Sequence, residues 1–85
     1  MKKTQEQVAS EFLATLKAQY PEIEEMNRTT APDNPDFLWI RVIAPMDDDR
    51  KEALEHSAAE LEIEILLEYD YQISLIPYPA PAQFA

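Results

Sequence analysis

Val8, Phe12, Leu13, Leu16 and Tyr20 recur at helical spacing within TQEQVASEFLATLKAQY and form one apolar stripe. The pattern predicts an amphipathic helix over residues 4–20. Thr4 and Gln7 fit a capping box, in which the threonine accepts from the third helical amide and the glutamine reaches back to the cap. Pro21 ends the helix, because the residue before a proline is pushed out of helical conformation.

Residues 22–30, EIEEMNRTT, carry no clear period. They read either as a short polar edge strand ending in Arg28, Thr29 and Thr30 or as an irregular link. PDNP follows as a turn, with Pro32 and Pro35 fixing φ and Asp33 and Asn34 able to bond to nearby backbone. FLWIRVIA, residues 37–44, predicts a strand that Pro45 ends. Leu38, Ile40 and Val42 point one way and Phe37, Trp39, Arg41 and Ile43 the other. Only Arg41 interrupts the apolar run, so a strand covered on both faces is expected.

Leu54, Ala58, Leu61 and Ile65 are spaced 4, 3 and 4 apart. ELEIEI also alternates like a strand, but the unbroken stripe favours a helix through about Glu68. Asp47, Asp48 and Asp49 sit where the helix dipole favours negative charge. Ala59, Ile63 and Leu67 then lie on roughly the opposite side. A helix of about 20 residues is ~30 Å long, and a second apolar face on it calls for a second subunit or for the C-terminal tail folded over it. YDYQISLIPYP predicts a strand over 71–77, which completes a right-handed, parallel βαβ unit. The expected fold is α+β: a small α-(β)-β-α-β domain with its sheet covered by helices. One domain spans 1–79, and residues 80–85 form an extended tail rich in proline and alanine.

Composition narrows the function. Seventeen acidic and seven basic side chains give a net charge of −10. That field repels phosphate backbones and anionic lipid, so neither a nucleic acid nor a membrane is an expected partner. No basic leader followed by a long apolar segment opens the chain, and no apolar run approaches the ~20 residues that span a bilayer. A cytoplasmic protein is the resulting expectation. Cysteine is absent, which removes disulfides and thiolate chemistry. Glycine is absent too, where an average chain of this length has roughly six. Phosphate loops and nucleophile elbows need glycine, because their backbone reaches positive φ or closely approaches a ligand.

His56, the only histidine, falls off the buried stripe and reads as a surface residue. The three consecutive aspartates point in different directions and read as helix-capping residues; calcium loops space their ligands and need a glycine. Asp33 and Asp36 stand at the mouth of an apolar strand, a common address for a metal. Here "DNPDFLWIRV", an acid-rich helix and "ILLEYDYQISLIPY" together resemble the small nucleotidyltransferase domains of the DNA polymerase β superfamily, over about residues 33–79. The resemblance implies an Asp-x-Asp pair leading into a buried strand, preceded by a Gly-Ser phosphate motif that this chain lacks. With Asp36 matched to the second carboxylate, the first falls on Asn34 and a third near Gln72 or Ser74. Two-metal phosphoryl transfer needs carboxylates at those places. The resemblance therefore implies a shortened, inactive form without a cofactor. The expected function is a non-catalytic interaction module or complex subunit, a homodimer or bound to a protein partner through Trp39, Ile63 and Leu67. The alternative is a divergent Mg²⁺-dependent enzyme using Asp33 and Asp36.

Overall fold

The computed structural model describes residues 3–79. The expected tail, 80–85, lies outside them. The order is α1 (Gln5–Gln19), β1 (Glu24–Ala31), β2 (Asn34–Ile43), α2 (Asp48–Tyr69) and β3 (Gln72–Tyr78). The α+β architecture is as expected. The three strands form one sheet in the order β1-β2-β3, with β1 antiparallel and β3 parallel to the central β2.

The local signals act as their chemistry requires. Thr4 Oγ1 accepts from Gln7 N at 3.2 Å and Gln7 Oε1 accepts from Thr4 N at 2.9 Å, so the capping box is closed. Asp47 caps α2, its carboxylate accepting from Arg50 N at 2.8 Å. The segment that lacked a period is a strand, β1, held by pairing with β2 and not by its own apolar content. Its turn is shorter than PDNP: Pro32 and Asp33 make it, and Asn34 already pairs with Ala31. Among the described residues only Asp70 has positive φ, so the primed two-residue turns that suit hairpins are not used. A register break between Thr30 and Ala31 instead leaves Pro35 in a bulge, where its missing N–H costs no ladder bond. Asp70 caps the C-terminus of α2 in left-handed conformation (φ 62, ψ 25), a place glycine usually takes.

One core forms on one side of the sheet. Leu38, Ile40 and Val42 of β2 meet Val8, Phe12, Leu13 and Leu16 of α1, Leu54 and Ala58 of α2, and Ile73 of β3. Leu16, Ile40, Val42 and Leu54 are fully enclosed. Polar ties fix the helices in place. Arg50 lies 4.8 Å from the Tyr20 ring centroid and pairs with Glu22, fastening the start of α2 to the end of α1. Arg28 of β1 pairs with Glu25 and reaches Glu6 and Ser10 of α1, both at 3.1 Å.

The expectation of a strand covered on both faces is corrected here. Along β2 the even positions are buried, while Phe37, Trp39, Arg41 and Ile43 are each half-buried. Both helices contribute their stripes to the same core, so one sheet face has a helical layer and the other has none among the described residues.

Candidate interaction site

The open face is built by strand parity. Register places Asn27 beside Arg41 and Thr29 beside Trp39 from β1, and Gln72, Ser74, Ile76 and Tyr78 beside Phe37, Trp39, Arg41 and Ile43 from β3. Phe37 and Trp39 meet edge to face, ring centroids 6.0 Å apart at 79°. The Arg41 guanidinium lies 5.5 Å from the Trp39 centroid and donates to Asn27 Oδ1 at 3.1 Å and Thr29 Oγ1 at 2.7 Å. The face is thus an aromatic and aliphatic stripe whose one arginine is held down against it. Glu24, paired with Ile43, brings the opposing charge. Glu62 lies at its margin, beside Phe37, Gln72 and Ser74.

A second apolar surface runs along α2. Its stripe enters the core at Leu54 and Ala58 and continues through Leu61 and Ile65, which are partly buried. On the far side Ile63 is 58% exposed and Leu67 82%. Leu66, also exposed, joins them. Between this crest and the open face a groove of about 200 Å³ wraps the edge of β3, lined by Phe37, Glu62, Ile63, Leu66 and residues 72–74.

Two of the three outward amides on that edge are unavailable to another strand. Tyr78 O faces β2, where it accepts from Ala44 N at 2.8 Å, so alternation turns 73, 75 and 77 outward. Leu75 N–H is taken by Glu62 Oε2 at 3.0 Å, and Pro77 has no N–H to offer. Desolvation between α2 and β3 raises the Glu62 carboxyl above the ordinary glutamate value, and the Leu75 amide opposes that shift. A proline and an inward-held carboxylate are two ways to blunt a sheet edge.

The residues singled out from sequence fall in three places. Trp39 is at the centre of the open face, and Ile63 and Leu67 form the crest. Asp33 is exposed in the β1–β2 turn and Asp36 is exposed at the start of β2, its N donating to Asn34 Oδ1 at 3.1 Å. His56 is exposed on α2, its Nε2 3.2 Å from Glu60. No group of three or more histidines and carboxylates among the described residues is placed to hold a metal ion. Sequence reasoning missed the contribution of Phe37, Ile76, Tyr78 and Leu66 and the clamp at Glu62. Strand parity carried the signal for the first three: with only two helices packed on one face, the other side of a small sheet is left uncovered among the described residues.

The fold and these surfaces define a small α+β domain with a one-sided helical layer. No protein-family model, curated protein or solved structure matches this chain. No helix among the described residues is long and apolar enough to cross a membrane.

Proposed function

We propose that this chain is a non-catalytic interaction module that self-associates through the open face of its sheet. The observation that carries the reading is the uncovered stripe of Phe37, Trp39, Ile43, Ile76 and Tyr78. Two general arguments support it. Sheets of parallel strands have both faces covered, and the β2–β3 half of this mixed sheet is parallel with one face open. Two copies that each carry −10 approach with least repulsion where carboxylates are fewest, and on this face Arg41 offsets Glu24. The blocked amides of the β3 edge disfavour strand pairing at that edge.

Strands ~4.8 Å apart and about 7 to 10 residues long at ~3.3 Å each give a face of roughly 14 by 25 to 30 Å. A standard interface buries about 800 Å² on each partner; this face, at roughly 350 to 420 Å², is smaller, and a weak dimer dissociating in the micromolar to submillimolar range is expected. Sedimentation equilibrium tests the reading: the chain is expected to dimerise with concentration, and Trp39→Glu to remain monomeric with unchanged circular dichroism. A wild-type monomer at ~1 mM, above that range, overturns it. Titration with Mg²⁺ and a nucleoside triphosphate is expected to give no heat; binding lost in Asp36→Ala would favour the enzyme instead.

A further inference from the structure

We infer that the crest of α2, with the acidic row beside it, receives a cationic amphipathic segment of another protein. This goes beyond self-association and rests only on the premise that the chain is an interaction module. A groove of about 170 Å³ between α1 and α2 lies on the other side of the helix, its floor including Phe12, Leu61 and Ile65 and its rim Glu11, Glu64 and Glu68. Ile63 and Leu67 are mostly exposed and one helical turn apart. At 100° per residue the row of Glu60, Glu64 and Glu68 runs between this crest and that groove. An apolar row beside an acidic row matches the two faces of a basic amphipathic helix.

Charge decides between this occupant and a second copy. No lysine or arginine follows Lys51 in the chain, while seven carboxylates do, from Glu52 to Asp70. The last turn of α2 holds no basic side chain, so the negative end of its dipole meets Glu68 and Asp70 with no cation of its own. Two such crests packed together would set the rows of Glu60, Glu64 and Glu68 against each other. The chain itself supplies one example of the favoured contact: Lys3 reaches the rim and pairs with Glu11 at 2.7 Å. A partner bringing several lysines or arginines on an apolar scaffold extends that arrangement along α2.

The test uses a synthetic helical peptide of leucine and lysine, about 14 residues or ~20 Å long, and its leucine–glutamate counterpart, each titrated into the full chain by fluorescence anisotropy. The lysine peptide is expected to bind and the glutamate peptide not to. The double variant Ile63→Ser, Leu67→Ser, altered only at exposed positions, is expected to weaken binding at least about tenfold, since two apolar contacts are removed. Glu64→Gln with Glu68→Gln is expected to weaken it severalfold and to flatten its salt dependence. Equal affinity of the Ser variant and wild type would mean attraction by net charge alone and overturns the inference. Sedimentation of the Ser variant separates this proposal from the one before it. A dimer as in wild type is expected; a monomer would assign the crest to self-association and overturn the present inference while leaving the module reading intact.

Discussion

Leu54 and Leu67 share a side chain and a helix and differ in one respect: the first is 0% exposed and the second 82%. Truncating each to alanine therefore measures how far α2 lies in the core. Alanine removes three carbons, worth about 2.4 kcal/mol at ~0.8 kcal/mol for each buried group. At Leu54 a cavity is left as well, and the total cost falls at about 2–5 kcal/mol. At Leu67 only a fifth of the side chain is covered, so the transfer cost is about 0.4 kcal/mol, and the better helix propensity of alanine offsets part of it. A domain of this size is stable by about 4–13 kcal/mol. Leu54→Ala should thus consume a large share of that stability while Leu67→Ala leaves it nearly unchanged. Urea denaturation followed by circular dichroism resolves the difference, because at a slope near 1 kcal/mol/M the midpoints move by about 2 M or more and by less than about 0.5 M. Run at low micromolar and at high concentration, the same pair reports on docking. A Leu67→Ala cost that approaches that of Leu54→Ala, or that grows with concentration, would refute the assignment of the crest as free in the isolated chain.

Three further outcomes follow from single residues. Asp70→Gly relieves a left-handed non-glycine residue and removes a negative charge from a helix C-terminus; less the entropy glycine adds to the unfolded chain, the gain is about 1 kcal/mol, read as a rise of a few degrees in Tm. The Glu62 carboxyl has a raised folded-state pKa, so the stability it contributes is greatest below the ordinary glutamate value of 4.5 and falls as pH rises through the folded value. Glu62→Gln can still accept from Leu75 N–H; it should raise Tm at neutral pH and leave it little changed near pH 3, about where both forms are uncharged. Glu22 is shifted the other way by its hydrogen bonds with the Arg50 guanidinium, so its contribution is present above 4.5 and lost on acidification, and Arg50→Gln should flatten that acid limb. Finally, Glu62→Ala with Pro77→Val restores two free amides to the β3 edge. Light scattering should then show aggregation that the wild type does not undergo; continued solubility would argue against the edge seal.

Much of the fold is local in origin, and so it was legible in the residues. The capping box at Thr4 and Gln7, the stop at Pro21, the 54-58-61-65 stripe and the strand that Pro45 ends each act within a few positions of the chain. The missing glycines likewise exclude phosphate loops by composition alone. Three features depended on tertiary placement. The polar run 24–31 became a strand only because β2 offered it ladder bonds, which no property of its own side chains announces. Whether Phe37, Trp39 and Ile43 would be covered turned on where two helices were placed, and both went to the same side, because the stripes of α1 and α2 bury the most apolar area against each other and the even face of β2. The clamp of Glu62 on Leu75 joins residues thirteen apart across a helix–strand contact. Sequence alone determined which segments are apolar on one side; packing decided which of those sides meet each other and which stay uncovered among the described residues.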